Sequence, residues 1–378
     1  MFKDLTWIEV SKKRIENNIR MIRRLIGPKV LLAPCIKANA YGLGIKRMAK
    51  LLNSYKVDWF CVNSLQEATS LRQIGIRKPI LVMGYVPEED LQQVIDLGLR
   101  IFISDYSTAQ KLAQLAQKSN KKALVHLKVD TGMHRLGVLV SQVKDLIIKL
   151  EKLKNLYLEG VATHFATADE LEKQVYFKKQ LKIFKDLLKE LKKNEINIPL
   201  IHSANSAALL ESRNSYFNLV RPGLAIYGYY PNTSLKKKCL QRKIKLLPAL
   251  TWKTRVSLVK TIPAQSYISY GAIFRTIRKT KIAILPVGYY DGFDRKLSNK
   301  GFVLIKGQRV PVRGRVCMNM IIVEVNKIKN ISKGEKAVLL GRQGKEEITA
   351  EEVAKTCGTI DDEIIARLRE TIPRYLVK

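Results

Sequence analysis

Residues 80–103 read ILVMGYVPEEDLQQVIDLGLRIFI, and this stretch decides the fold class. It opens with the apolar run Ile80–Met83 and closes with Arg100–Ile103, both of the length and composition of buried strands. Between them, Pro87–Leu97 begins with a proline followed by acids, which is typical of the first turn of a helix. A strand, a helix and a second strand in this order predict a parallel sheet with crossover helices.

The same alternation runs from about residue 30 to residue 230. The longest helical pattern places Phe177, Leu181, Phe184, Leu188 and Leu191 on one face. Eight strand–helix units in about 200 residues favour a (β/α)8 barrel over an open doubly wound sheet. The predicted strands are Val30–Ile36, Trp59–Val62, Ile80–Met83, Arg100–Ile103, Ala123–Val129, Gly160–His164, Leu200–His202 and Leu219–Tyr227.

The character of the sequence changes after Pro231. The segment Pro231–Lys245 is polar and basic and is predicted to be a linker. Short strand-like pieces punctuated by Gly and Pro follow, with helices near Ala350–Thr356 and Asp361–Glu370. We therefore predict a barrel over residues 1–240 and a mostly β domain over residues 241–378, with the first ten or so residues as a candidate to pack on the β domain. The predicted strands of this domain are Thr254–Thr261, Lys281–Val287, Phe302–Ile305, Val310–Val312, Ile321–Val325 and Ala337–Leu340.

Composition narrows the function classes. The net charge of +35 comes mostly from lysines spread over predicted helix faces, without a nucleic-acid-binding module, so we expect no specific nucleic-acid partner. No apolar run reaches the roughly 18 residues of a membrane span, and the charged N-terminus lacks the features of a signal peptide. The five cysteines form no CxxC pair, which indicates neither a disulfide framework nor a zinc site. We expect a cytoplasmic protein that binds neither a metal nor a membrane.

Side chains that can carry chemistry gather where the predicted barrel strands end, the edge at which barrel enzymes place their active sites. They are Lys37 after the first strand, Lys128 and Arg135 after the fifth, His164 after the sixth, His202 and Ser206 after the seventh, and Arg221 with Gly223 at the eighth.

Lys37 is the most informative of these residues. A lysine at the mouth of an apolar strand is costly to bury unless it is paired, neutral or covalently used, and alone it would be interpreted as a rim salt bridge. However, Ser206 at the start of a helix and the backbone of Gly223 and Leu224 form the usual phosphate site of a barrel. A reactive lysine that faces a phosphate site suggests Schiff-base chemistry with a phosphorylated aldehyde cofactor.

Blocks of sequence along nearly the whole chain carry a specific resemblance. The first is Lys37–Gly42, KANAYG. In order, the others are Lys128–Gly137 (KVDTGMHRLG), Thr163–Asp169 (THFATAD), His202–Ser206 (HSANS), Arg221–Gly228 (RPGLAIYG), Ser269–Ala272 (SYGA) and Arg315–Met318 (RVCM). In register, these blocks resemble the bacterial alanine racemases, a pyridoxal-phosphate family of fold type III.

The resemblance implies a barrel plus a β domain, assembled as a head-to-tail homodimer, with Lys37 carrying pyridoxal phosphate. It implies that Tyr270 of the partner subunit is the second base of an enzyme that interconverts L- and D-alanine and supplies D-alanine for peptidoglycan. Racemisation removes the Cα proton from one face and returns one to the other, so two bases on opposite faces require the least rearrangement. A neutral phenol cannot accept that proton, and the resemblance makes His164 the neighbour that activates Tyr270. Alone, His164 would be interpreted as a core histidine.

The resemblance also assigns supporting roles. Arg221 resembles the partner of the pyridine nitrogen and, having donors only, cannot hold a proton there as an acid would; alone it would be a structural ion pair. Arg135 resembles the residue that binds the cofactor's phenolic oxygen and the substrate carboxylate. Lys128 resembles a lysine that is often carbamylated in the family, a plain lysine being the alternative. The implied cofactor-binding residues are Lys37, Tyr41, His202, Ser206, Arg221, Gly223 and Leu224, with Met318 and Tyr289 at the substrate entrance.

This chain departs from the family pattern at the implied entrance. Asn319, followed by Met320, stands in place of the usual Asp, Glu370 in place of a common Tyr, and Tyr290 in place of a small residue. The two bases are unaffected, so the alternative function is a broad-specificity, serine or lysine racemase of the same family. A decarboxylase of this fold is disfavoured by Arg221, and a small cofactor carrier is disfavoured by the β domain.

Overall fold

The structure is a computed structural model that describes residues 4–378. The chain divides into two compact units. The first, here called the barrel unit, comprises Ile15–Ala38 and Ile45–Leu247. The second, here called the β unit, comprises the described residues up to Arg14, Asn39–Gly44 and Pro248–Lys378.

The strands are listed here in chain order with the bounds that the structure gives them. They are β1 (Thr6–Ser11), β2 (Leu31–Leu32), β3 (Phe60–Val62), β4 (Ile80–Val82), β5 (Arg100–Ile103), β6 (Ala123–Asp130), β7 (Val138–Leu139), β8 (Leu156–Ala162), β9 (Leu200–His202), β10 (Leu219–Val220), β11 (Leu250–Arg255), β12 (Leu258–Ile262), β13 (Thr280–Leu285), β14 (Phe302–Ile305), β15 (Gln308–Pro311), β16 (Ile321–Glu324), β17 (Lys336–Gln343), β18 (Glu346–Ile348) and β19 (Arg374–Val377).

The helices connect these strands. They are α1 (Lys12–Ile26), α2 (Lys37–Tyr41), α3 (Ile45–Asn53), α4 (Leu65–Gln73), α5 (Leu91–Asp96), α6 (Tyr106–Lys118), α7 (Val140–Glu151), α8 (Gln174–Lys193), α9 (Ser206–Glu211), α10 (Thr233–Gln241), α11 (Ala350–Cys357) and α12 (Asp361–Ala366). Within residues 4–378, no helix combines the length and the hydropathy needed to cross a membrane.

The barrel unit is built on parallel strands in the order β3, β4, β5, β6, β8 and β9, with the β10–β2 pair completing the ring. Backbone hydrogen bonds close the two seams: among them, the Ile36 N–H donates to the Cys61 carbonyl at 2.9 Å, and the Asn218 N–H donates to the Ile201 carbonyl at 3.3 Å. The strand order confirms the predicted (β/α)8 barrel.

Two barrel strands are much shorter than predicted. The regular part of β2 ends before Pro34, and that of β10 ends before Pro222, since proline has no N–H to donate to a ladder. The predicted final strand Leu219–Tyr227 was wrong beyond Val220, because Leu224–Tyr227 forms a 3-10 turn. These interruptions lie where Lys37 and Arg221 leave the sheet, so both side chains sit on irregular backbone at the strand ends.

The predicted linker Pro231–Lys245 was also wrong, because it contains helix α10. The Asn232 side chain caps this helix by accepting the Leu235 N–H at 2.8 Å. Leu235 and Cys239, four residues apart, are buried on one face. The abundance of lysine in this segment concealed that short apolar face.

The β unit has two sheets, in agreement with the predicted mostly β domain. One has the strand order β15, β14, β17, β11, β1 and β19, with β18 paired to β17, and the other has the order β12, β13 and β16. The N-terminal β1 pairs antiparallel with β11 and parallel with β19, and it buries Trp7, Ile8 and Val10. The single strand predicted over Thr254–Thr261 is two strands of different sheets, separated at Val256 and Ser257.

Candidate active site

Five of the predicted site residues line a single cavity of the barrel unit. Its volume is about 300 Å³, and its lining includes Lys37, Lys128, Arg135, His164 and Arg221. They come from the ends of β2, β6, β8 and β10 and from the loop after β6. This is the carboxyl edge of the parallel strands, where barrel enzymes place their active sites.

Lys37 opens α2, a turn of unusual hand. The next four residues, Ala38 to Tyr41, have φ values between +52° and +54°, so the turn is left-handed. Residues with a Cβ adopt this conformation at a cost of about 1–2 kcal/mol each, and such turns occur where function fixes the backbone. The turn directs the chain away from the strand at the position of Lys37.

Glu67, which is not among the predicted site residues, anchors the start of this turn. One oxygen of its carboxylate accepts the Ala38 N–H at 2.7 Å, and the other accepts the Asn63 N–H at 2.8 Å. Glu67 is also the third residue of α4 and completes a capping box with Ser64. The Ser-x-x-Glu spacing is a visible signal of the cap, but nothing in the sequence indicates that the same carboxylate also holds Ala38.

The cavity is strongly cationic. Burial, followed by the charges of Arg221 and Arg135, holds the pKa of Lys128 well below its ordinary value. Burial and the charge of Lys128 likewise hold the pKa of His164 well below its ordinary value. Asp130 is the one carboxylate among the lining residues that the structure describes. The excess of positive charge fits an anionic ligand.

Asp130 is engaged by the protein itself. Its Oδ1 accepts the backbone N–H groups of Gly132, Met133 and His134 at 2.9, 3.0 and 3.1 Å. Although burial opposes it, these hydrogen bonds hold the pKa of Asp130 below its ordinary value. Asp130 therefore remains charged and shapes the loop that carries Arg135. Asp130 lies in the block Lys128–Gly137, but the sequence did not predict this role for it.

Arg221 is buried with uncharged partners. Its Nη2 donates to the Thr163 carbonyl at 2.9 Å, and its Nη1 donates to His202 Nδ1 at 2.5 Å. His202 lies behind Arg221 and is not among the residues that line the cavity. Of these two predicted cofactor-binding residues, Arg221 lines the cavity, and His202 contacts Arg221 from behind.

The Ser206 hydroxyl lies against the backbone N–H groups that follow β10. Ser206 is the first residue of α9, and its hydroxyl accepts the N–H groups of Gly223 at 2.9 Å and of Ala225 at 3.1 Å. The Asn205 side chain caps the same helix through the Ala208 N–H at 2.9 Å. A hydroxyl among N–H donors at a helix start is the arrangement that binds phosphate oxygens.

The remaining predicted residues belong to the β unit. Tyr270 lies in a 3-10 turn and is 73% exposed, and the Ser269 hydroxyl before it donates to the Arg315 carbonyl at 2.8 Å. Tyr289 and Met318 lie on adjacent segments, because the N–H of Tyr289 donates to the Cys317 carbonyl at 3.1 Å. Tyr41 also belongs to this unit, at the end of the left-handed turn.

The residues that depart from the family pattern lie on the β unit, and one of them, Tyr290, contacts the neighbour of another. The Arg369 guanidinium lies 3.8 Å from the centre of the Tyr290 ring, which is a cation–π contact. The Glu370 side chain is exposed, while its carbonyl accepts from Arg374 at 2.7 Å. Asn319 is exposed beside Met318 and Met320.

Comparisons with known proteins identify the relatives of this chain. The family model of the alanine racemase N-terminal domain matches residues 10–231, and that of the C-terminal domain matches residues 249–376. The alanine racemase of Methanococcus maripaludis is 39% identical over 369 residues, which cover 97% of both chains. That of Carboxydothermus hydrogenoformans is 40% identical over 371 residues, covering 98% of this chain and 99% of the relative.

Solved structures give the same result. The alanine racemase of Clostridium difficile matches with a TM-score of 0.94 and 36% identity, covering 100% of this chain and 97% of that one. The Bacillus anthracis enzyme, solved with bound L-Ala-P, matches with a TM-score of 0.93 and 35% identity, covering 100% and 96%. The barrel unit, with Lys37 and the other cavity residues at its strand ends, and the β unit match amino-acid racemases along the whole chain. The protein is therefore an amino-acid racemase, an isomerase. Within that class, the chain belongs to the alanine racemase family.

Proposed function

We propose that this protein interconverts L- and D-alanine with pyridoxal phosphate as its cofactor. The observation that carries the proposal is the convergence of Lys37, Arg135, His164 and Arg221 on one cationic cavity at the strand ends of the barrel. A relative solved with bound L-Ala-P supports an alanine-like ligand. The family relationship further suggests that the D-alanine formed supplies peptidoglycan synthesis.

The residues present fit the cofactor. The Lys37 amine would carry it, the Ser206 hydroxyl and the N–H groups of Gly223 and Leu224 would hold its phosphate together with Tyr41, and Arg221 would face its ring nitrogen. When bound, pyridoxal phosphate stabilises the negative charge left at the substrate Cα after the proton leaves. The excess of cationic side chains in the cavity supports this assignment, because the phosphate and the phenolic oxygen are anionic.

Two residues exchange the Cα proton in this proposal. Lys37 serves one face of the substrate and Tyr270 of the partner subunit serves the other. His164 supports Tyr270 as a neutral acceptor, because burial and Lys128 hold the pKa of its imidazole well below the ordinary value. Arg135 binds the substrate carboxylate, and Met318 and Tyr289 line the entrance.

A homodimer with shared active sites follows from the role of Tyr270. Large apolar side chains are exposed on the β unit, and isolated soluble proteins seldom expose many of them in one region. They include Tyr267, Tyr270, Ile273, Ile277, Tyr289, Tyr290, Met318 and Met320. Sedimentation at increasing protein concentration should show a dimer, and activity per subunit should fall on dilution below its dissociation constant.

We further propose that Lys128 is carbamylated. A buried lysine with a lowered pKa offers a neutral amine, whose nitrogen attacks the carbon of CO2 while one proton leaves to solvent. The resulting carbamate anion would be stabilised by the positive charges of Arg221 and Arg135. These are the charges that, after burial, lower the pKa of the unmodified Lys128. A carbamate carbon signal in the 13C spectrum after exposure to labelled bicarbonate, absent in Lys128→Met, would support this modification.

A serine or lysine racemase of the same family is the second candidate. The observation that favours it is the contact of the Arg369 guanidinium with Tyr290, a large residue in place of the small one that the family pattern has at the implied entrance. Chiral analysis of L-alanine, L-serine and L-lysine, each incubated with the protein and pyridoxal phosphate, decides between them. We expect D-alanine to form fastest; a D-product from serine or lysine alone would overturn alanine as the substrate.

A further inference from the structure

A continuous chain of polar side chains leads from Arg221 into the barrel interior. Arg221 Nη1 is 2.5 Å from His202 Nδ1, and His202 Nε2 is 2.7 Å from His126 Nδ1. His126 Nε2 is 3.2 Å from Glu159 Oε2, which also accepts from Arg100 Nε at 3.0 Å. Both histidines are fully buried. The family motifs include Arg221 and His202, whereas His126, Glu159 and Arg100 have no role in the proposed function.

Strand β8 is shaped to let this chain form. His126 on β6 and His202 on β9 lie on either side of β8, and the residue opposite His126 is Gly160. A Cβ at Gly160 would lie 2.6 Å from His126 Nδ1, so only glycine leaves room for the two imidazoles to meet. The β6–β8 register shifts between Val125 and His126, leaving Glu159 as the extra residue of a bulge. A bulge re-aims a side chain, here toward His126 and Arg100.

The partners at the two ends fix every proton in between. Arginine has donors only, so His202 Nδ1 must accept and its proton must be on Nε2. That Nε2–H donates to His126 Nδ1, which places the His126 proton on Nε2, facing the Glu159 carboxylate. All three hydrogen bonds therefore run in one direction, from Arg221 toward Glu159, and hydrogen bonds aligned in this way strengthen one another.

We propose that Glu159 is a positioning residue that fixes the tautomers of His126 and His202 and thereby holds the Arg221 guanidinium in place toward the cavity. The proposal rests on the proposed function only in that Arg221 faces the cofactor ring. The aromatic neighbours keep the two imidazoles in position: Phe102 stacks on His202 with ring centres 6.0 Å apart, and Trp59 meets the edge of His126 at 5.5 Å.

The charges that face these groups favour neutral histidines and an ionised Glu159. Burial holds the pKa of His126 below its ordinary value, opposed by Glu159 and assisted by Arg100 and Arg221. Burial, Arg221, His126 and Lys128 hold the pKa of His202 well below its ordinary value. For Glu159, burial is outweighed by the hydrogen bonds from His126 and Arg100, and its pKa is lowered.

The first test is the nitrogen-15 spectrum of the histidines in the cofactor-free protein. The sequence has four histidines, and His134, with a 72% exposed side chain, serves as a reference signal from outside the chain of polar side chains. We expect His126 and His202 to be neutral Nε2–H tautomers whose signals do not change between about pH 6 and 8. A proton on Nδ1 of either residue, or a cationic imidazole, would overturn the proposal. This measurement needs no variant and no enzyme activity.

The second test is Glu159→Gln, with Glu190→Gln on the exposed face of α8 as the matched control. Glu159 Oε2 accepts from both His126 and Arg100, and Oε1 accepts from Arg100 as well. An amide has one acceptor oxygen, so its NH2 group must face one of these donors, and the acceptor end of the chain is weakened. We expect the Nε2–H signals of both histidines to change in this variant and to stay unchanged in the control. Unchanged signals in a folded Glu159→Gln protein would show that Glu159 does not set the proton order.

The same variant separates this proposal from the proposed function. If the wild-type protein racemises alanine, Glu159→Gln should lower kcat on the order of 10-fold with a smaller change in KM, as when a residue that orients a metal-binding histidine is lost. If the wild-type protein does not racemise any amino acid, the proposed function fails while the histidine spectra still decide the role of Glu159. An unchanged kcat in an active protein with altered spectra would contradict the link to Arg221.

Discussion

At the scale of single residues, the site is an accumulation of like charges that the fold tolerates. Lys37, Lys128, Arg135 and Arg221 line one cavity with Asp130 as their acidic companion, and Asp130 is occupied by backbone N–H groups. The mutual repulsion of these charges is unfavourable until an anion enters the cavity. The cluster therefore favours anion binding and does not stabilise the fold. The sequence identified these residues because each follows an apolar strand, but it gave no means of distinguishing His202, which lies behind Arg221, from the residues that line the cavity.

Replacement of Lys37 tests the role of the lysine that the proposal places at the centre. Lys37→Ala should abolish racemisation and the visible absorbance of lysine-bound pyridoxal phosphate, because no other residue is proposed to carry the cofactor. The measurement is an absorption spectrum and a turnover assay beside Lys178→Ala, an exposed lysine of α8. Turnover in both directions by Lys37→Ala would remove Lys37 from its role.

Tyr270→Phe tests whether the two faces of the substrate have different bases. The variant keeps the aromatic ring and loses the hydroxyl, so abstraction of the Cα proton from L-alanine should suffer much more than abstraction from D-alanine, which the resemblance gives to Lys37. Exchange of the Cα hydrogen with labelled water, followed separately for each enantiomer, measures this asymmetry. Equal losses in both directions would refute the assignment.

At the scale of secondary-structure elements, the order of strands and helices could be read from apolar periodicity, whereas their ends could not. The strand before Lys37 loses its ladder at Pro34, and the last barrel strand loses it at Pro222, which periodicity alone does not register. Helix α8 has the predicted face except that Leu187 is buried where Leu188 was predicted. The left-handed turn after Lys37 depends on a carboxylate from α4, a contact between distant segments that no local pattern encodes.

Glu67 and Ser64 make a matched pair for testing that turn. Both substitutions, Glu67→Ala and Ser64→Ala, remove the capping box of α4, and each should lower the free energy of unfolding by about 1 kcal/mol. Only Glu67→Ala also removes the acceptor of the Ala38 N–H, so only this variant should bind pyridoxal phosphate more weakly. Cofactor titration and urea denaturation give the two quantities; equal cofactor affinity in both variants would show that Glu67 does not hold the turn.

At the scale of the whole molecule, the sequence predicted the two classes of domain. It did not predict every segment that crosses from one part of the chain into the other unit. The change from long strand–helix units to short Gly-punctuated strands marks the two units. The first ten or so residues were a candidate to pack on the β domain, and β1 lies in a sheet of that unit. However, its pairing with β11 and β19 was not predicted, and neither was the membership of Asn39–Gly44 in the β unit, although this segment interrupts the barrel sequence. Pairings between the two ends of a chain depend on the folded topology, so composition and periodicity do not reveal them.

Three histidines should make the stability of the barrel unit depend on pH: His126 and His202 are buried, and His164 is half-buried at the cavity. Burial is the first cause that holds the pKa values of His126, His164 and His202 below the ordinary value of 6.5. The unfolded chain therefore takes up protons as the pH falls through 6.5 while the folded histidines stay neutral. Stability is fully present above about pH 7 and is lost as the pH falls, by up to about 1.4 kcal/mol per pH unit for each histidine.

Urea denaturation midpoints between about pH 8 and 5 measure this dependence. The carboxylates with lowered pKa values change charge below this range and do not contribute there; they are Asp105, Asp130, Glu159 and Asp186. Burial raises the pKa of Asp361 to about 6, so this carboxyl changes charge within the range and opposes the histidines, one group against three. Lys178→Ala, at an exposed lysine of α8, should leave the slope unchanged and serves as the control. A midpoint that does not fall between pH 7 and 5 would contradict the neutral state of the three histidines.

The central claim is that this protein removes and returns the Cα proton of alanine. The most direct measurement is the incubation of L-alanine with the protein and pyridoxal phosphate in deuterated water, followed by chiral separation and mass analysis of both enantiomers. We expect D-alanine to accumulate to an equal mixture and to carry deuterium at Cα, with neither outcome in Lys37→Ala. Absence of D-alanine in a protein that has bound the cofactor would contradict the proposed function.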